Sequence, residues 1–206
     1  MSSRRSHLGR NSMRFAFLCF LVSAMLPSVS RAQAPVFKIT PEESTVHFFV
    51  KASVAIEGKF EKWDATLTFP STDVTTGVMD IKIQADSVDT GSDMKNDKLK
   101  SKDFFNAKDD PYITFHSDKI VQTGPNTFEM PGKFTIRGVS KPETLTLVVS
   151  GERGSGQGEV KGTMAFDRKE FGMNSGIPFI KIADRVELSI NLKASRVSGP
   201  PVDLKS

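Results

Sequence analysis

Eight segments of this chain alternate apolar and polar residues with a period of two, and this pattern restricts the fold more than any other feature. A strand places successive side chains on opposite faces, so each segment has one dry face and one wet face, as antiparallel sheets do. The stretches between several of them are short and turn-like, as in TGPN and GERGSGQG. We therefore predict an all-β fold in a single domain. The segments are STVHFFVKA, WDATLTF, VMDIKIQA, PYITFHS, FEMPGKFTI, ETLTLVVS, EVKGTMAFD and RVELSINLKA.

Eight such strands joined by tight hairpins favour an eight-stranded antiparallel barrel of the up-and-down type, with a β-sandwich as the alternative. The interior of an eight-stranded barrel is either filled by side chains or holds one small ligand. Small residues such as Gly132 and Gly162 recur on the predicted inner faces. They either leave space for a ligand or relieve crowding between neighbours, and the pattern alone does not decide between the two.

One charged stretch, SDMKNDKLKSKDFFNAKDDP, interrupts the strands at residues 92–111. We predict a short α-helix here, because Ser92 or Asp93 can accept hydrogen bonds from its first amides. Acidic residues near its start and lysines near its end also suit the helix dipole. Phe104 and Phe105 follow directly, and we predict that they cover one end of the barrel. A fixed plug is favoured over a moving lid.

Residues 1–32 have the pattern of a secretory signal peptide: several arginines, a 12-residue apolar run at residues 15–26, and small residues before Gln33. The apolar run is too short to cross a bilayer as a helix, although an uncleaved anchor is the alternative. We predict cleavage after Ala32, periplasmic localisation, a barrel domain at residues 33–196 and a C-terminal tail at residues 197–206. Translation could start at Met1 or Met13, and no transmembrane segment is expected after cleavage.

Charge and cysteine content exclude several classes of protein. Five of the 28 basic residues lie in the predicted signal peptide, which has no acidic residue, so the remaining chain has 23 basic and 24 acidic residues. A net charge near −1 gives no reason to expect nucleic acid as a partner. Cys19, the one cysteine, lies in the apolar run, so the mature chain has no disulfide and no thiol nucleophile.

The predicted interior is rich in phenylalanine: 13 of the 16 Phe residues follow residue 32, against one Tyr and one Trp. Phe offers apolar area without a hydrogen-bonding group, so such an interior suits a hydrocarbon chain better than a sugar or a nucleotide. The residues predicted to line the lumen and its mouth are Phe48, Val50, Leu67, Phe69, Ile81, Ile83, Phe104, Phe105, Phe115, Phe134, Leu147, Met164, Phe166, Leu188 and Ile190.

Catalysis is not expected. His47 and His116 both fall on the polar faces of their strands, and their spacing does not indicate a metal site. The chain has no nucleophile elbow, phosphate-binding loop or zinc-protease motif. Asp103, Asp109 and Asp110 are crowded enough to suggest a cation site, but a solvated turn is favoured. Arg137 and Arg168 would contact either a ligand head group or the barrel rim, and the second role is favoured. The alternatives to a carrier are a structural or partner-binding barrel with a filled core and, more distantly, a hydrolase or isomerase.

Four stretches of the chain, in order, resemble the signatures of the YceI-like family of exported bacterial proteins. VDTGSDMKNDKLKSKDFFNAKDDPYITFHS is similar to that family's central signature, and GKFTIRGVSKPETLTL to its conserved hairpin. FDRKEFGMNSG and IADRVELSINLKA are similar to a later motif and to the final strand. Two departures occur: Lys98 stands where the family often has His, and KASVAIEGKF lacks the frequent His-Gly pair.

The resemblance implies an extended lipocalin-like barrel that holds a polyisoprenoid lipid, such as an isoprenoid quinone, in the periplasm without catalysis. It also implies that the ligand is a lipophilic small molecule and that no other cofactor is needed. Any ligand contact that relatives make through the missing histidines is not expected here. A homodimer is left open.

Overall fold

The computed structural model of the protein describes residues 34–53, 55–151, 156–176 and 181–204. The predicted signal peptide and its cleavage site lie outside the described residues. The described chain folds into twelve strands and one α-helix. The strands are β1 (Val36–Ile39), β2 (Thr45–Ala52), β3 (Ile56–Phe60), β4 (Trp63–Thr68), β5 (Val78–Gln84), β6 (Val88–Asp89), β7 (Tyr112–Ser117), β8 (Val121–Gln122), β9 (Thr127–Ile136), β10 (Val139–Ser150), β11 (Gln157–Asp167) and β12 (Ile182–Ser198), and the helix is α1 (Asp93–Lys100).

All eight predicted strands are present, as β2, β4, β5, β7 and β9 to β12. The other four strands were not predicted because they are short. Strands β6 and β8 have two residues each, and β3 has Gly58 at its centre, where an apolar side chain would complete the alternation. Of these four strands, β1 is part of the barrel ring and β3 adds the buried residues Ile56 and Phe60 to the core, whereas β6 and β8 extend the wall.

Eight strands close into an antiparallel ring in the order β1-β4-β5-β7-β9-β10-β11-β12, and β12 pairs back to β1. Four of the eight neighbouring pairs are consecutive strands, and two more are separated only by the two-residue strands β6 and β8. The predicted antiparallel eight-stranded barrel is confirmed. Strand β12 has 17 residues, and it meets β2 at its start and β1 at its end. Strand β2 continues the wall through β3 to β6.

A short 3₁₀ turn, Pro41–Glu43, separates β1 from β2, and a buried serine bridges the break. The Ser44 hydroxyl donates to the carbonyl of Thr40 at 2.6 Å and accepts from the amide of Lys193 at 2.9 Å. The amide of Thr40 in turn donates to the carbonyl of Lys193 at 2.9 Å. These bonds satisfy backbone groups that the interrupted pairing with β12 leaves without a strand partner.

The inner faces of the strands form one continuous apolar cluster. In β2, for example, Val46, Phe48 and Val50 are buried, whereas His47 and Phe49 between them are exposed. The same alternation runs through β5, β9 and β11. The period-two pattern of the sequence therefore placed the correct face of each predicted strand toward the interior.

Glycines on the inner faces make room for neighbouring side chains. A Cβ atom on Gly132 would lie 2.5 Å from the carbonyl oxygen of His116 and 2.7 Å from the ring of Phe115. A Cβ atom on Gly162 would lie 2.6 Å from Ile190 and 2.9 Å from Leu147, its two cross-strand partners. At these two positions the small residue relieves crowding and does not leave open space.

Gly162→Ala is therefore expected to destabilise the fold by about 1–3 kcal/mol, because Ile190 and Leu147 must both move. Urea unfolding followed by circular dichroism measures this change. Gly176→Ala is the matched control, since no described atom lies within 4 Å of its added Cβ. Equal stability of the two variants would show that the barrel wall expands freely at Gly162.

Candidate functional site

Three cavities lie one after another along the barrel axis. We name the end of the barrel covered by α1 and the phenylalanines after it the helix end, and the end near residues 199–204 the tail end. The helix-end cavity has about 40 Å³, the middle cavity about 30 Å³ and the tail-end cavity about 230 Å³. On β12, Val186 lines the helix-end cavity, Ile190 the middle cavity and Ala194 the tail-end cavity. The positions of these residues along the strand give the order of the cavities along the axis.

The first two cavities are nearly continuous, since Ile83, Phe134 and Leu188 line both. The tail-end cavity shares no lining residue with them. Leu192 lies between the two regions on β12 and is fully buried, as are Met79 and Met130 on β5 and β9. Because methionine is unbranched and adapts its shape readily, this layer can change its packing at low cost.

All fifteen residues predicted for the lumen and mouth line one of these cavities. Leu67 and Leu188 are half-buried, and the others are buried. Contact with a ligand remains a prediction for each of them. The helix-end group is Phe48, Val50, Ile83, Phe104, Phe105, Phe134, Phe166 and Leu188; the middle cavity adds Ile81, Phe115, Met164 and Ile190; the tail-end group is Leu67, Phe69 and Leu147.

Several lining residues were missed by sequence reasoning. Ile56 and Phe60 belong to β3, and their spacing of four residues across Gly58 was the available signal. Leu99 is the buried residue of α1, and one apolar side chain in a charged helix gives no periodicity. Tail residues Pro201, which is exposed, and Val202, which is half-buried, line the tail-end cavity, although nothing in their pattern indicates contact with the barrel.

Phe104 and Phe105 cover the helix end, as predicted. Both are buried, and the ring of Phe105 lies 5.8 Å from that of Phe60 and 6.4 Å from that of Phe48, centre to centre. The chain turns back on α1, because the amide of Phe105 donates to the carbonyl of Leu99 at 2.9 Å. Met94 is 83% exposed, so α1 is held mainly by its C-terminal side.

The predicted cap at the start of α1 is wrong in detail. Ser92 occupies the N-cap position, but its side chain makes no capping bond. Asn96 instead accepts from the amide of Thr90 at 2.8 Å and from its hydroxyl at 2.7 Å. The helix start is therefore tied to the preceding strand end through Asn96.

Lys98, near the end of α1, makes a local contact. Its ammonium group lies 2.6 Å from Asp103 and 5.7 Å from the centre of the Phe104 ring. The hydrogen bond from Lys98, reinforced by its charge, holds the pKa of Asp103 below its ordinary value. The residue thus fixes the turn that presents Phe104 to the barrel.

Arg168 is a buried cation at the helix end, 6% exposed, and its donors are taken up by the protein. It bonds to the carbonyls of Met173, Ser175 (3.0 Å) and Ala183 (3.2 Å) and to the carboxylate of Asp184 (3.1 Å). The pKa of Asp184 lies below its ordinary value, chiefly because Lys169 donates to it, with the charges of Lys169 and Arg168 adding to the effect. This geometry supports the rim role for Arg168.

Arg137, in the turn between β9 and β10, also connects loops at the helix end. Its backbone is in the left-handed region, with φ of 54°, and its side chain donates to the carbonyls of Lys102 (2.8 Å) and Gly172. Both arginines therefore join loops at the helix end, and their hydrogen bonds go to protein oxygens.

The described residues contain no group of three or more His, Cys, Asp or Glu side chains suited to a metal ion. His47 and His116 are exposed on the outer face, and His116 lies 2.6 Å from Asp80. Asp110 accepts a hydrogen bond from Asn106 at 2.9 Å.

Among the helices that the structure describes, none has the length and apolar character to cross a membrane.

A barrel of this topology, with an apolar lumen and a helix over one end, matches a known family. The model of the YceI-like domain covers residues 37–194, and the chain belongs to that family. Protein YceI of Salmonella arizonae is 28% identical over 146 residues, which is 68% of this chain and 75% of that protein.

Solved structures agree on the fold. BcnA of Burkholderia cenocepacia is 28% identical with a TM-score of 0.68, and the match covers 76% of this chain and 99% of that one. A polyisoprenoid binding domain from Saccharophagus degradans is 14% identical with a TM-score of 0.63, covering 79% of this chain and 99% of that one. At that identity the second likeness concerns the fold alone.

Proposed function

We propose that this protein is an exported, non-catalytic carrier that holds a polyisoprenoid-type lipid or isoprenoid quinone in its barrel. The observation that carries the proposal is the row of cavities along an interior lined by apolar side chains. A flexible hydrocarbon chain suits such a path, because it gains by leaving water and needs no hydrogen-bonding partner inside.

Two further points support the ligand class. Aromatic rings line the helix-end cavity, including Phe48, Phe60, Phe105, Phe134 and Phe166, and rings offer large contact area to a branched chain. The Saccharophagus barrel, which shares this fold, is named for binding polyisoprenoid. The signal-peptide pattern of residues 1–32 and membership of the YceI-like family support export to the periplasm.

The second candidate is a barrel with a filled core that binds no lipid. The observation in its favour is the size of the two inner cavities, about 40 and 30 Å³, which is far below the 300–1,000 Å³ or so of typical ligand pockets. A long chain can enter only if side chains such as Met79 and Met130 move aside. The two candidates therefore differ in whether the interior opens.

Organic extraction of the purified protein distinguishes them. We expect mass spectrometry to find an isoprenoid lipid at near one molecule per chain after export in a Gram-negative host. The matched control is the same protein refolded from denaturant without lipid, which should give a clean extract. A clean extract from both samples, with refolded protein that takes up no added farnesol, would favour the filled core.

A further inference from the structure

The tail-end cavity differs from the other two in size and in the polarity of its opening. It has about 230 Å³, against about 40 and 30 Å³. Its inner wall is apolar and buried, with Phe69, Phe128 and Leu147. Two polar residues line its solvent side: Asn126, which is exposed, and Arg196, which is half-buried. An apolar wall that ends in polar groups suits a molecule with an apolar chain and a polar head.

Arg196 is a cation at this opening, and the described residues use little of its side chain's hydrogen-bonding capacity. One amino group donates to the carbonyl of Gly199. Within the described part of the chain, no carboxylate lies within 4.0 Å of it, whereas Arg168 pairs with Asp184 and Arg185 with Glu187. A guanidinium has five donors in a planar fork that matches phosphate and carboxylate oxygens.

This opening is built partly from residues beyond the YceI-like match, which ends at residue 194. Pro201, Val202 and Leu204 form part of the cavity wall. The amide of Asp203 donates to the carbonyl of Thr72 at 2.7 Å and holds this segment against the barrel. The Arg196 site is thus a feature of this chain that the family match does not include.

We propose that the tail-end cavity binds the anionic head of an amphiphile, a phosphate or carboxylate, through Arg196, with the chain directed toward the helix end. The inference rests on the proposed carrier function and assigns the ligand's head group and direction. The helix end is the less suitable place for the head, because the amino groups of Arg168 and Arg137 already donate to protein oxygens. The remaining free donor of Arg137, its Nε, is buried and has no partner among the described residues. Phe104 and Phe105 also cover that end with apolar surface.

Titration calorimetry with farnesyl phosphate and farnesol tests the role of Arg196. Arg196→Gln should bind farnesyl phosphate about tenfold more weakly or worse, while farnesol binding changes little, because only the phosphate loses a charged donor. Arg196→Lys should keep part of the phosphate affinity. Arg185→Gln, which removes an exposed arginine from the outer face, is the matched control and should bind both probes normally. Equal weakening of both probes by Arg196→Gln would overturn the proposal.

Trp63 reports the direction of the chain. It is the one tryptophan, and it pairs with Ile83, which lines the helix-end and middle cavities. Stearate with a nitroxide near its methyl end should quench Trp63 more strongly than stearate with the nitroxide beside its carboxylate. The reverse order would place the head at the helix end and overturn this inference while leaving the carrier function intact. If stearate, farnesyl phosphate and farnesol all fail to bind, both this inference and the proposed carrier function are rejected.

Discussion

Replacing Phe104 and Phe105 together with alanine is expected to release residues 92–110 from the barrel while the strands stay folded. The segment is anchored chiefly by these rings and by Leu99, since most of α1 is charged and Met94 is exposed. Truncating a buried Phe costs about 3–5 kcal/mol, and an eight-residue helix is not stable by itself. Hydrogen exchange should therefore become fast across this segment and remain slow in β9 to β12.

Loss of the same rings should also speed the release of a bound chain. Both rings line the helix-end cavity, so their removal opens a second exit. Stopped-flow displacement of farnesol measures the off-rate, and Met94→Ala is the matched control on the exposed side of the helix. Faster exchange with an unchanged off-rate would make the segment a structural plug only. Unchanged exchange would mean that other contacts hold it.

Arg168→Met is expected to destabilise the whole barrel by about 3 kcal/mol or more. Methionine fills much of the volume of the arginine side chain but leaves the carbonyls of Met173, Ser175 and Ala183 without their donor. Each buried polar group that loses its partner costs about 1–3 kcal/mol. Urea unfolding measures the change. The control is Arg185→Met, which removes one partner of the exposed Arg185–Glu187 ion pair on β12 and should stay within about 0.5 kcal/mol of the parent.

The ion pair between Arg168 and Asp184 also makes the stability difference between the parent and Arg168→Met depend on pH. Because the pKa of Asp184 is lowered in the folded state, its stabilising effect is present above the ordinary carboxyl pKa. That effect is lost as the pH falls through the lowered value. Lys169 causes most of this lowering and remains in the variant, so the difference in stability between parent and Arg168→Met should shrink only slightly in acid, by the part that Arg168 contributes. A difference that stays constant with pH would show that the carbonyl contacts alone account for the effect.

The barrel could be predicted from sequence because period-two alternation records which side chains face the interior. The apolar face was correct in segments such as VMDIKIQA, where Met79, Ile81 and Ile83 are all buried. The aromatics after α1 could be placed because a charged helix needs an apolar anchor. These inferences succeed where one residue's burial follows directly from its neighbours in the chain.

Other features depend on contacts that no local pattern records. The role of Gly162 is set by Leu147 and Ile190 on two other strands, so its meaning stayed open. The burial of Val202 follows from docking of the tail against Thr72, far away in sequence. The motif placed Arg168 at the barrel rim, but its burial was not predicted, because it depends on the carbonyls of Met173 and Ser175 in the following loop.

The split pairing of β12 affects how the protein folds. The ring closes only when the first strands, β1 and β2, meet the last strand, and the Ser44–Lys193 bond joins positions 149 residues apart. Such distant contacts slow folding, because the intervening chain must lose its freedom before they form. The barrel therefore cannot close until β12 has been synthesised. Until β12 is available to pair with β1 and β2, the earlier strands can form only an open sheet.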